Sequence, residues 1–137
     1  VPKKPFFTVA FFVWMVIITI SSLSSLSSID TGALRLIPYG DKLGHFAFYI
    51  IAAVLGVFFL REQRRRRLTQ RKAFVVIFLS TLVFGIILEL LQYSLTTSRE
   101  GELLDAIANG VGSLMGIFAT KFIFSKRGFL SWEGDTL

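Results

Sequence analysis

The 137-residue chain has no cysteine, a single histidine, and charge on only 18% of its side chains. Without cysteine there is no disulfide scaffold to consider. So little charge, set against 53% apolar residues and a mean hydropathy of +0.67, excludes disorder and is too apolar for a soluble domain of this length. Ten-residue segments of alternating polarity, the mark of a membrane barrel, are missing. There is also no serine-nucleophile motif, phosphate-cradling glycine loop or dinucleotide fingerprint, and no cofactor is expected.

What is present is four long apolar runs. They cover Phe6 to about Ile29 (ending in the serine-rich Ser21–Ser28), Leu43 to Leu60, Ala73 to Leu95, and Leu103 to about Phe124. Each approaches the ~20 residues a helix needs to cross ~30 Å of hydrocarbon, and an open strand would leave its backbone unpaired in lipid. The expected fold is all-α, a bundle of four transmembrane helices. It forms one membrane domain over 1–127, followed by a short tail, 128–137, expected to fray. Lys3 and Lys4 before an apolar core resemble a secretory signal. No small-x-small cleavage site follows, however, and Leu23, Leu26 and Ile29 continue the helix at threes.

The net charge of +6 has two components. The segment Arg61–Lys72 (REQRRRRLTQRK) holds seven cations and one acid, the composition of a loop kept in the cytoplasm. With four spans, that placement puts both termini in the cytoplasm too. Twelve cations then face three acids inside, a balance of +9, and three cations face six acids outside or in the outer half of the membrane, a balance of −3. The basic charge therefore orients the chain in a bilayer, and nucleic acid drops out as a partner.

Ionisable groups within spans are costly, by ~2.5–3.5 kcal/mol each at the bilayer centre, and usually face protein or water. At about 100° per residue, the second span puts Asp41, His45 and Tyr49 on one arc, with Lys42 at its edge and Ala52 and Gly56 below. Glu89, Gln92 and Thr96 share an arc with Gly85 on the third span. Glu102, Asp105 and Asn109 share one with Gly112 and Gly116 on the fourth. Small residues beneath each polar end allow close helix packing. The three arcs are expected to converge in a polar pocket open to the outside, where His45 meets Glu89 or Asp105. One reading of the cluster is a hydrogen-bonded plug, with Asp41 capping its helix and Lys42 or Arg99 pairing the carboxylates. The other is a ligand site in which His45 exchanges protons with Glu89 or Asp105. No metal is expected, since one histidine and no cysteine make poor zinc chemistry and leave only a hard-cation site as the alternative.

The segments DKLGHFAFY (Asp41–Tyr49), ELLQ (Glu89–Gln92), and Arg99 followed by DAIANGVG (Asp105–Gly112) resemble the VanZ-like family of small bacterial membrane proteins. The likeness spans roughly residues 38 to 118; the turn before Arg99 reads LTTS, without the proline usual there. The resemblance implies that Asp41, Lys42, His45, Tyr49, Glu89, Gln92, Arg99, Asp105, Asn109 and Gly112 are family-motif positions. It also implies a multi-pass protein of the bacterial cytoplasmic membrane serving the cell envelope. The family takes its name from a protein linked to low-level resistance to teicoplanin, and its biochemical activity is not settled.

The function expected on these grounds is binding of a polar or lipid-linked envelope ligand, such as a cell-wall precursor. Arg99 and Lys42 would meet an anionic group, and Asn109 and Gln92 would orient it. The alternatives are a membrane enzyme acting on a lipid-linked substrate and a structural subunit that closes its polar face against a membrane protein partner. A proton pathway has less support, because polar groups are absent from the inner halves of the spans.

Overall fold

The computed structural model describes residues 4–23, 40–63, 68–95, 103–125 and 127–132, and of Asp41 the backbone alone. Among them the fold is all-helical. The four helices are α1 (Phe6–Leu23), α2 (Gly40–Gln63), α3 (Gln70–Leu95) and α4 (Leu103–Ile123), each long and apolar enough to cross a membrane. Apolar runs without a helix-breaking residue, in a setting where the backbone must satisfy itself, give this result. Residues 24–29, expected to extend the first span, lie outside the described residues.

The helices outrun the apolar runs that define them. α2 begins at Gly40 and ends at Gln63, and α3 begins at Gln70. Glutamine, lysine and arginine are good helix formers and carry their charge outward on long stems, so the helix does not stop where hydropathy does. Asp41 consequently lies inside the first turn of α2 and not at a cap preceding Leu43.

Polarity is arranged for lipid. Val9, Phe12, Val13, Val16 and Ile20 of α1, Val76, Leu79, Val83 and Ile87 of α3, and Val111, Met115, Phe118 and Phe122 of α4 all point away from the protein. The chain is a multi-pass membrane protein. The interior is built mostly of small and medium aliphatic side chains with two aromatic rings: Ala53, Val57, Ile77, Ile117 and Phe124 form one cluster, and Ile18, Tyr49, Ala52 and Leu88 form another.

α2 is the hub and packs against all three other helices, most extensively against α4. Gly112 and Gly116 make that contact possible. A Cβ on Gly116 would lie 2.6 Å from the Ile50 carbonyl oxygen and 2.7 Å from Ala53 Cβ, and one on Gly112 would run into the Phe46 carbonyl. Bare backbone against backbone brings the first turns of α2 and α4 together, and the polar side chains they carry come with them.

Other contacts fix the remaining helices. Glu62, near the end of α2, accepts hydrogen bonds from the backbone N–H groups of Phe7 (2.9 Å) and Thr8 (3.0 Å) and from the Thr8 hydroxyl (2.6 Å). It satisfies donors that the first turn of α1 cannot pair within the helix. The start of α1, the end of α2 and the end of α4 thus share one end of the bundle, where Arg61 lies over the Phe124 ring. The tail does not fray at once: Trp132 Nε1 donates to the Leu68 carbonyl (3.1 Å), Arg61 donates to the Ser131 carbonyl (2.9 Å), and the Trp132 ring meets Phe124 edge-on.

Candidate functional site

The opposite end of the bundle collects the polar arcs. Lys42, His45 and Tyr49 follow one another at helical spacing along the first three turns of α2. Glu89 sits in the second half of α3, and Asp105 and Asn109 in the first two turns of α4. Because successive helices run antiparallel, the start of α2, the end of α3 and the start of α4 lie side by side.

His45 stands at the centre. Its Nδ1 is 3.0 Å from Asn109 Oδ1 and 3.8 Å from Glu89 Oε1, and its Nε2 is 3.9 Å from Asp105 Oδ2. The amide oxygen of Asn109 only accepts, so Nδ1 carries the hydrogen of that bond. On the far side of Asp105, Lys42 Nζ lies 3.4 Å from Oδ1. The side chains are largely enclosed, between 9% exposed for Glu89 and 17% for Lys42. The sequence offered His45 one carboxylate or the other; the structure places it between both.

Beneath this layer the small residues act as expected of spacers. Gly85 faces Asn109 and the Tyr49 hydroxyl, where a Cβ would stand 3.1 Å from Asn109 Nδ2 and 3.2 Å from Tyr49 Oη. Tyr49 Oη and Ser113 Oγ are buried and meet no hydrogen-bond partner among the described residues. Elsewhere in the spans buried hydroxyls are satisfied within their own helix. Thr81 donates to the Ile77 carbonyl (2.9 Å) and Thr120 to that of Ile117 (2.8 Å).

Gln92 is directed differently from the expectation. Its Nε2 donates to the Ser22 carbonyl across 2.5 Å. That carbonyl belongs to the last described turn of α1, so Gln92 ties α1 to the bundle instead of lining the His45 layer at that atom. Arg99, Thr96 and Glu102 lie outside the described residues, as does the side chain of Asp41.

Two features escaped sequence reasoning. Glu62 was counted with the basic loop although it caps α1. An apolar groove between α3 and α4, lined by Phe78, Leu82, Ile86, Ile107 and Leu114, shares no residue with the polar cluster. The Glu62 contact has no sequence signal, because its partners are mostly backbone N–H groups that any residue presents.

Chemically, the cluster offers an imidazole with a fixed N–H and an Nε2 directed at a carboxylate, two enclosed carboxylates from different helices, and one ammonium. Such a set can hold a cation, anchor an anionic group on Lys42, or pass a proton through His45. Compared with protein-family models, with curated proteins and with solved structures, the chain finds no match in any of the three.

Proposed function

We propose that the chain is a VanZ-like protein of the bacterial cytoplasmic membrane. In this reading the His45 cluster faces outward and binds the polar head of a lipid-linked envelope ligand. The observation that carries the proposal is the convergence of Lys42, His45, Glu89, Asp105 and Asn109 from three helices at one end of an otherwise apolar bundle. The basic segment Arg61–Lys72, whose ends lie at the other end of the bundle, supports the outward orientation. The motif order that resembles the family supplies the same residues.

A plug that only pinned the helices would be expected to close its hydrogen bonds. The cluster instead leaves His45 at 3.8 and 3.9 Å from the carboxylates and two hydroxyls below it without partners among the described residues. In the proposed reading Lys42 and Arg99 meet an anionic group of the ligand, and His45 exchanges a proton with Asp105 or Glu89. Asn109 sets the ring, and Gln92 holds α1 against the site.

The test is recovery of bound lipid. Protein purified in mild detergent from a bacterial host and extracted for mass spectrometry should carry a polyprenyl-phosphate or related envelope lipid. His45→Ala, Asp105→Ala and Arg99→Ala should lose it while keeping their helicity. Equal lipid in wild type and all three variants would remove the site from consideration. Conversion of added lipid to a product would move the reading to the enzyme alternative, and a stoichiometric protein partner with no lipid would move it to the structural one. The link to glycopeptide resistance is tested by the teicoplanin sensitivity of cells carrying wild type or His45→Ala.

A further inference from the structure

His45, Glu89 and Asp105 each present one ligand atom such that all three atoms lie within 4.8 Å of one another. They come from three different helices, so the grouping is set by the tertiary structure and not by neighbouring positions in one segment. An imidazole nitrogen with two carboxylate oxygens is a donor set suited to first-row divalent cations. Ligand atoms about 2.0–2.2 Å from a common ion stand roughly 3–4.4 Å apart. Binding an ion therefore draws the side chains together, with the Glu89 carboxylate, whose Oε1 lies 3.8 Å from Nδ1, turning toward the Nε2 side of the ring.

The hydrogen bonding around His45 is prepared for this. Asn109 Oδ1 takes the Nδ1 hydrogen at 3.0 Å, which leaves the Nε2 lone pair on the side of Asp105, 3.9 Å from Oδ2. A ligating histidine characteristically donates its other N–H to such an acceptor, which fixes both tautomer and ring orientation. The Tyr49 residue is 1% exposed, and its hydroxyl, without a hydrogen-bond partner among the described residues, lies close enough to Glu89 to interact with its charge. It is a buried polar group beside the donor set that the protein's own packing does not use.

Lys42 opposes a cation. Its ammonium lies 3.4 Å from Asp105 Oδ1 and competes for the same carboxylate. Among the paired side chains it is the most exposed, and it stands in the first turn of α2, from which a flexible stem can carry the ammonium outward. A divalent ion would exchange with it at Asp105.

We propose that His45, Glu89 and Asp105 form a site for one divalent cation of the Zn²⁺ or Mn²⁺ type, with His45 oriented by Asn109 and affinity restrained by Lys42. This rests on the reading of the cluster as a binding site and names an ion for it, against the expectation from histidine and cysteine counts alone. The two carboxylates supply what a second histidine would have.

The experiment uses untagged full-length protein in detergent, stripped with a chelator and titrated with zinc or manganese chloride in the absence of added lipid. Calorimetry reads the binding of both ions, and paramagnetic resonance also reads manganese. One saturable ion per chain is expected. Asp105→Asn and Glu89→Gln, which preserve shape, should abolish binding, and Asn109→Ala should weaken it about 10- to 100-fold. Lys42→Gln should tighten it, an effect that a variant with a merely damaged fold would not produce. No one-to-one binding by wild type, unchanged affinity in both carboxamide variants, or weaker binding in Lys42→Gln would each overturn the proposal. Lipid recovered from protein that binds no ion would sink the cation alone, whereas ion binding by protein that carries no lipid would sink the lipid reading alone.

Discussion

His45 Nδ1 donates a hydrogen bond to Asn109 Oδ1 across 3.0 Å, joining the first two turns of α2 to the second turn of α4. This bond decides which ring nitrogen faces Asp105. Replacing Asn109 by Leu leaves the largely enclosed imidazole N–H without its acceptor, at a cost of about 1–3 kcal/mol. Thermal unfolding in detergent should show a lower midpoint for Asn109→Leu. Ser113→Ala, which removes a buried hydroxyl with no partner among the described residues, should be neutral or stabilising in the same assay.

The close passage of α2 over α4 depends on two missing side chains. Gly116→Ala places a methyl against the Ile50 carbonyl and Ala53, and Gly112→Ala places one against the Phe46 carbonyl. Backbone cannot swing aside, so overpacking of about 1–3 kcal/mol is expected for each. Gly44→Ala is the control, since a Cβ there meets nothing within 4 Å. Unfolding measurements should therefore separate Gly44→Ala from the other two, and both destabilised variants should also disturb the His45 cluster above the contact.

The sequence exposed the four helices and the faces of three of them because both follow from one-dimensional periodicity. A run of apolar residues sets the span, and a 100° step sets the arc. Placement of His45 between Glu89 and Asp105 was not legible. It depends on how closely α2 and α4 approach, which Gly112 and Gly116 permit but do not specify. The partners of Gln92 and Glu62 were hidden for another reason. Ser22 offers a carbonyl and Phe7 an N–H, groups that every non-proline residue carries, so no residue type marks the contact. Trp132 docking on the Leu68 carbonyl escaped in the same way.

Gln92 anchors the C-terminal end of α1. Gln92→Leu preserves bulk but leaves the Ser22 carbonyl without this donor, and interhelical hydrogen bonds in membranes average about 0.6 kcal/mol. The global effect should thus be small and the local one clear. Hydrogen exchange of the last turn of α1 should accelerate while that of α2 and α4 is unchanged. Equal exchange in wild type and variant would deny Gln92 this role.

At the other end, Glu62 caps α1 through two backbone donors and the Thr8 hydroxyl. Glu62→Ala should cost about 0.5–2 kcal/mol, the range for losing an N-terminal cap. Glu62→Gln retains one acceptor oxygen and should fall between wild type and Ala. Thr8→Val in the Glu62→Ala background should add little, because the hydroxyl then keeps only the exposed hydrogen bond it accepts from Gln63 Nε2 (2.9 Å). A double-mutant cycle on unfolding free energies reads this directly.

The lack of cysteine makes orientation measurable without altering anything else. The positive-inside rule predicts that a segment with seven cations between Arg61 and Lys72 stays in the cytoplasm, and with four spans it predicts that position 98 faces the other side. Thr69→Cys and Ser98→Cys each introduce the only thiol in the chain. In intact spheroplasts a membrane-impermeant maleimide should label Ser98→Cys and spare Thr69→Cys until the membrane is broken. The opposite pattern would turn the His45 cluster toward the cytoplasm and end its assignment to an extracytoplasmic ligand. Removing the charge of Arg64, Arg65, Arg66 and Arg67 with glutamine leaves three of the seven cations in place. Labelling of both sites in that background, as a mixed population, is the expected signature of a topology held by those arginines.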